Sequence, residues 1–189
     1  MAGTLMEKVI NIPNLLTLGR IFLTPFIVYF ILEQQPMMAL VLMAVAGITD
    51  MLDGAIAKYF DMQTTVGSYL DPMADKLLLV STIVCLFYVD EVPLFVFLAV
   101  IFRDAIIVAG AIAYEVVTRR LKMEPTFLSK TTTTVQIIYV LLALLHMAYG
   151  FSESLMLFAV WFTFVVTVAS GMQYMVLWTY KAVHEERGK

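Results

Sequence analysis

An all-α integral membrane protein is the fold class that the sequence predicts, with six transmembrane helices behind a short interfacial amphipathic helix. Three observations lead there. The 189 residues are 61% hydrophobic and only 14% charged, and the mean hydropathy is +0.89, far outside the range of soluble domains. Six apolar runs, at about 15–33, 37–59, 65–89, 92–118, 127–149 and 153–180, each supply the ~20 residues that cross a hydrocarbon core of ~30 Å. The basic residues, finally, gather in alternate connections.

In order along the chain, residues 1–13 form the interfacial segment. Leu5, Met6, Val9 and Ile10 fall on one side and Glu7 and Lys8 on the other, the pattern of a helix lying in the membrane surface. Pro13 is expected to break this segment and Asn14 to cap the first span. The later breaks carry charge or punctuation: Glu33 to Pro36, Asp61 to Gln63, Asp90 to Pro93, Arg119 to Pro125, and Gly150 to Glu153. Residues 181–189 read as a mixed-charge cytoplasmic tail that frays. The whole of 1–189 reads as one membrane domain without repeats. No cleavable leader is expected, because no apolar run near the start ends in a small-residue cleavage site. The single cysteine, Cys85, excludes an internal disulfide.

With six spans, the N-terminus, the second and fourth connections and the C-terminus share one side. That side holds Lys8, Lys58, Arg119, Arg120, Lys122, Lys181, Arg187 and Lys189, with Lys130 close by. The other three connections hold Glu33, Asp90, Glu91 and Glu153 and no Lys or Arg. The asymmetry puts both termini in the cytoplasm. The residues flanking the second connection then open toward the cytoplasm as well.

Those flanking residues carry the chemistry. Asp50 and Asp53 are spaced i, i+3 and Asp71 and Asp75 i, i+4, so each pair occupies one helix face. Gly54 and Ala57 continue the first stripe, and Gly67 lies one turn before Asp71. Two such helices packed antiparallel would enclose an acidic cavity with room for a flat or bulky ligand. One ionised carboxylate in an apolar setting costs ~3 kcal/mol or more, and four together repel, so cations must neutralise them or some must be protonated. Oxygen ligands without His or Cys favour Mg²⁺, Mn²⁺ or Ca²⁺ over zinc. Two such ions would cancel four charges, and paired ions can clamp a pyrophosphate while orienting attacker and leaving group. The bland alternative is an ordinary cluster of helix-terminal acids. An EF-hand is set aside, because the ligand spacing is wrong and no Glu closes the loop.

Written out, Asp50-x2-Asp53-Gly54-x2-Ala57-Lys58-x8-Gly67-x3-Asp71-x3-Asp75 resembles the motif of the CDP-alcohol phosphotransferase (phosphatidyltransferase) family, with Lys58 where that family has arginine. The resemblance extends from Ile12-Pro-Asn-Leu-Leu-Thr-Leu-Gly-Arg20 to about residue 140. It implies a six-helix, two-metal membrane enzyme, commonly a homodimer, that moves a phosphatidyl or related group from a CDP-linked donor to an alcohol and releases CMP. By resemblance, Asp50, Asp53, Asp71 and Asp75 bind two divalent cations, Mg²⁺ or Mn²⁺. Asp75 is also the general base. Asp50, Gly54, Ala57, Lys58, Gly67 and Asp71 face the CDP-diacylglycerol donor. The lysine keeps a point charge for phosphate but loses the guanidinium fork.

Arg20, Lys76, Arg103 and Lys130 are the candidate acceptor or phosphate-binding residues, since basic groups at membrane depth face a cavity or a partner. Arg103 has a structural alternative, pairing with a carboxylate on another helix. Asp104 projects ~100° away and is expected to be a poor direct partner. Two branches of the family fit best. The phosphatidylglycerophosphate synthases use glycerol 3-phosphate, and tend to carry Arg-Glu in the fourth helix and another arginine two turns on. Here Arg103-Asp104 is followed two turns later by Ala111. The CMP-forming cardiolipin synthases use phosphatidylglycerol, and resemble this chain through Arg-Asp and through Pro125-Thr-Phe-Leu-Ser-Lys130 with Thr131 to Thr134 and Gln136. A monoanionic diester also needs fewer cationic partners than a dianion, so cardiolipin synthesis is favoured.

The expected setting is a bacterial-type or mitochondrial-type inner membrane, with no nucleic-acid partner. The methionines and phenylalanines read as packing and lipid-facing residues, and Ala109, Gly110 and Ala113 as a close helix contact. His146 reads as interfacial. The competing class is a divalent-cation transporter. It accounts for the acids but not for the small residues beside them.

Overall fold

The structure, a computed structural model, describes the backbone of residues 12–59, 65–118 and 126–186. It describes their side chains except at 12–13, 53–59, 65–66, 68–69, 111–118 and 178–186. The amphipathic helix expected over residues 3–11 lies outside the described residues.

Six helices follow one another: α1 (Ile12–Leu32), α2 (Pro36–Tyr59), α3 (Thr65–Tyr88), α4 (Leu94–Thr118), α5 (Phe127–Tyr149) and α6 (Glu153–Glu186). Their ends lie where turn chemistry puts them. After α1, Gln34 adopts a left-handed φ of 56°, and the Gln34 and Gln35 amides donate to Ile31 and Phe30 carbonyls at 3.1 and 2.8 Å. Asp90 repeats this after α3, with φ 64° and amide bonds from Asp90 and Glu91 to Phe87 and Leu86. Both are Schellman closures, which satisfy carbonyls that a helix end leaves orphaned. Gly150, at φ 60°, closes α5. Pro36 opens α2, where its missing N–H costs nothing.

Two expectations about helix ends are corrected. Helix α1 begins at Ile12 and takes Pro13 into its first turn, where proline is tolerated, so Asn14 is a buried side chain instead of a cap. At the other end α6 continues to Glu186, past the expected fraying at Lys181. The segment Lys181 to Glu186 holds no Gly or Pro to stop it.

The chain divides into two compact units. One comprises Met1–Glu91 with Ala143–Phe151, the other Val92–Leu142 with Ser152–Lys189. In the first, α1 packs on both α2 and α3. Its inward stripe runs Asn14, Thr17, Arg20, Thr24, Ile27 and Ile31, all at most 4% exposed, with the 3–4 residue spacing of one helix face. The stripe is polar through its first four residues and apolar at its last two. The opposite face exposes Leu15, Phe22, Phe26 and Tyr29, an apolar surface that a water-facing helix does not carry. At the far end of this unit His146 Nδ1 lies 3.3 Å from Glu91 Oε2, with the Phe151 ring edge-on to the imidazole. In the second unit α4 packs on α6, and Val96 and Val100 of α4 are fully buried.

Among the described residues three helical stretches are long and apolar enough to cross a membrane: Asn14–Leu32, Phe127–Tyr149 and Glu153–Leu177, with a shorter apolar stretch at Pro36–Leu52.

Candidate active site

Asp50 of α2 and Asp71 and Asp75 of α3 meet on α1. Arg20 sits at the centre: its Nη2 lies 2.5 Å from Asp50 Oδ1 and its Nη1 2.5 Å from Asp75 Oδ1. One turn earlier on α1, Thr17 donates its hydroxyl to Asp71 Oδ1. Thus two α1 residues spaced i, i+3 engage two α3 residues spaced i, i+4, and the same guanidinium reaches across to α2. Gly67 and Ala74 of α3 are buried beside them.

Burial divides the cluster in a useful way. Arg20 is 1% exposed, whereas the side chains of Asp50 and Asp75 are 44% and 52% exposed. The carboxylates are therefore not sealed in an apolar core, as the sequence suggested. They form an open rim over a covered arginine, where a ligand has access to them. The guanidinium offsets part of their mutual repulsion, through charge-assisted bonds that are stronger than neutral ones.

Sequence reasoning expected Arg20 to grip phosphate and the two acidic helices to face each other. The structure places Arg20 on the acids and makes α1 the shared support. A signal was present: Asn14, Thr17 and Arg20 recur every three residues in an otherwise apolar run, which marks one polar face. The side chains of Asp53, Gly54, Ala57 and Lys58 lie outside the described residues, although the α2 backbone carries all four.

The donor set of carboxylate and hydroxyl oxygens fits a hard divalent cation. Among the described residues no three acidic, His or Cys side chains are grouped as metal ligands, and Arg20 is bonded to both Asp50 and Asp75.

The second unit holds a separate polar knot. Arg103, 3% exposed, bonds Asp104 Oδ1 through Nη1 at 2.7 Å, and Ser129 Oγ and the Ser129 carbonyl through Nη2 at 2.7 and 3.1 Å. Ser170 Oγ lies 3.4 Å from both Nε and Nη2. The expectation that Asp104 is a poor partner is corrected: the ~100° separation applies to Cβ directions, and arginine is long enough to fold back along its own helix. Three helices thus meet on one guanidinium. Thr126 caps α5 by accepting the Ser129 amide at 3.2 Å and contacts Gln173 and Tyr174 of α6. Two turns into α5, buried Gln136 donates to Thr167 Oγ1 at 3.2 Å. Its carbonyl oxygen has no partner among the described residues. Lys130 is exposed in the first turn of α5, and the Lys76 amine is buried on α3. The sequence singled out the stretch that contains Ser129 without pairing it to Arg103, and it missed Ser170, because a serine in a membrane helix carries little signal until its partner is known.

The family model of the CDP-alcohol phosphatidyltransferases matches residues 10–178, which takes in α1, both acid pairs and the Arg103 knot. The chain belongs to that family. Within it, the chain is 36% identical to the cardiolipin synthase (CMP-forming) of Homo sapiens over 90% of its own length and 62% of that protein's. It is 34% identical to the enzyme of the same name from Rattus norvegicus, over 95% and 65%. It is 29% identical to the chloroplastic CDP-diacylglycerol–glycerol-3-phosphate 3-phosphatidyltransferase 1 of Oryza sativa subsp. japonica, over 89% and 57%. The chain thus spans about three-fifths of the length of these relatives.

Proposed function

We propose that this chain transfers a phosphatidyl group from CDP-diacylglycerol to the hydroxyl of phosphatidylglycerol, giving cardiolipin and CMP. The observation that carries the reading is the convergence of Asp50, Asp71 and Asp75 from two helices onto Thr17 and Arg20 of a third. The names of the human and rat relatives favour this acceptor.

In this reading Asp50, Asp53, Asp71 and Asp75 hold two divalent cations, which when bound supply positive charge against the donor diphosphate. Gly54, Ala57 and Gly67 leave room for the cytidine and diphosphate, and Lys58 contacts donor phosphate. Asp75 accepts the proton of the acceptor hydroxyl as its oxygen attacks the phosphatidyl phosphorus. The bond from that phosphorus to the CMP oxygen breaks, and CMP leaves. The half-exposed position of Asp75 gives the hydroxyl access. Arg103, already bonded to Asp104, Ser129 and Ser170, serves by fixing the first turn of α5. Lys76 and Lys130 are the candidates for the acceptor phosphate.

The chain spans its membrane six times in this reading, with both termini and the acidic rim at the cytoplasmic face, as the basic connections favour. It acts as a homodimer in an inner membrane of bacterial or mitochondrial type. A second reading, glycerol 3-phosphate as acceptor, is favoured by the rice relative's name. Acceptor competition tests the choice. Purified protein receives CDP-diacylglycerol, Mg²⁺ or Mn²⁺, and phosphatidylglycerol together with glycerol 3-phosphate, and the product lipids are weighed by mass spectrometry. Cardiolipin is expected. Phosphatidylglycerophosphate alone would give the second reading.

A further inference from the structure

The threonines of these helices share a habit. Thr24, Thr49, Thr82 and Thr131 to Thr134 each donate the side-chain hydroxyl to a carbonyl of their own helix, one turn back. That is the usual partner of a helical threonine. Thr17 differs in donating outside its helix, to Asp71 Oδ1 on α3, 54 residues along the chain. Its position leaves it little freedom. Thr17 is 0% exposed, between Asn14 and Arg20 on the inward stripe of α1, and a β-branched side chain is stiff at χ1. Asp71 is only partly covered. The covered hydroxyl is thus the fixed member of the pair, and the carboxylate is the one it steers.

We propose that Thr17 is the positioning residue of Asp71, holding one carboxylate oxygen so that the other meets a divalent cation in a set direction. The inference rests on the metal-dependent reading above, in which Asp71 is a ligand. It adds the α1 side chain that aims that ligand. An untethered aspartate turns about χ2 through a broad range, and most of those turns move its oxygens off the narrow bonding distance of a cation such as Mg²⁺. A hydroxyl bond at Oδ1 narrows the range. The donor is also neutral, so it fixes the carboxylate without cancelling its charge, whereas a lysine or arginine in the same place would offset it. Groups that do not touch a metal commonly orient its ligands by such bonds. Thr17 acts on the cation only through Asp71.

The test is a Mn²⁺ titration of purified protein in detergent, read by the spin-resonance signal of unbound Mn²⁺, with melting temperatures followed alongside. Wild type is compared with Thr17→Val, which keeps the branched shape and removes the hydroxyl, and with Thr17→Ser, which keeps the hydroxyl. Thr17→Val is expected to bind Mn²⁺ more weakly by about 10–100-fold, the usual loss when the partner of a metal ligand is removed. Its metal-induced rise in melting temperature shrinks accordingly. Thr17→Ser restores binding to within about threefold of wild type. In an Asp71→Asn background Thr17→Val adds no further loss, because the two residues act as one unit. Wild-type affinity in Thr17→Val overturns the proposal. So does Thr17→Ser that binds as weakly as Thr17→Val, or a loss from Thr17→Val that persists in full beside Asp71→Asn, since a merely structural threonine gives those results. If Thr17→Val does not fold, Thr17→Ala, which introduces no clash, is read by the same sign. Wild type that binds no Mn²⁺ overturns the metal-dependent reading itself, a different result from unchanged binding in the variants.

Discussion

Arg103 Nη1 lies 2.7 Å from Asp104 Oδ1, the carboxylate of the next residue on the same helix. Both residues are buried, at 3% and 7% exposure, so the pair enters the second unit as a nearly neutral group. Removing Asp104 deprives the buried Arg103 charge of its carboxylate, which costs about 3–5 kcal/mol in buried pairs. Asp104→Leu is expected to lower the melting temperature sharply. The double variant Arg103→Met, Asp104→Leu should lose less than the single one, because replacing a whole buried pair by apolar groups is often close to neutral. Thermal unfolding in detergent of the two singles and the double measures this coupling.

The two serines around Arg103 should not weigh equally. Ser129 Oγ accepts at 2.7 Å and Ser170 Oγ only at 3.4 Å, and long contacts are weak. Ser129→Ala is expected to cost about 1.5–3 kcal/mol, the usual worth of a bond to a charged group. Ser170→Ala should cost well under half of that. Equal losses in melting temperature would show that the distances misjudge the two bonds.

Gln136 is fully buried, with one bond at 3.2 Å to Thr167 and a carbonyl oxygen that has no partner among the described residues. An unmet buried acceptor costs about 1–3 kcal/mol, so Gln136→Leu is expected to be neutral or stabilising in a melting experiment. A clear destabilisation would mean that a bound water or ligand group satisfies the carbonyl.

Asp75 faces Arg20 through one oxygen and is half-exposed. In its proposed role as general base it should be needed for turnover more than for donor binding. Asp75→Asn is expected to lose roughly 10²–10⁴-fold in kcat while keeping measurable CDP-diacylglycerol binding. Rate measurements together with a donor-binding assay check the split, and near-normal turnover would remove Asp75 from that role.

Much of this architecture is legible in the sequence, for reasons that can be stated residue by residue. Gly150 ends α5 where a flexible break was expected, because left-handed closures gather at glycine, and Gln34 and Asp90 end α1 and α3 within the expected charged breaks. The spacing of Asp71 and Asp75 alone places them on one face. Two relationships were hidden. Arg20 meeting Asp50 and Asp75 is a contact across about thirty and fifty-five residues, and no local period encodes which face of α1 turns toward them. The Arg103–Asp104 bond was misjudged because helix geometry fixes where a Cβ points and not how far a long side chain can return. The apolar pattern also suggested six spans, and among the described residues three stretches meet the length and apolarity of one.

The most direct measurement is CMP release by the purified protein from CDP-diacylglycerol and phosphatidylglycerol, first stripped of metal and then titrated with Mg²⁺. The account predicts no CMP without metal, a rise on its return, and one cardiolipin formed per CMP. Mg²⁺ that restores no CMP release, in protein that remains folded, would contradict it.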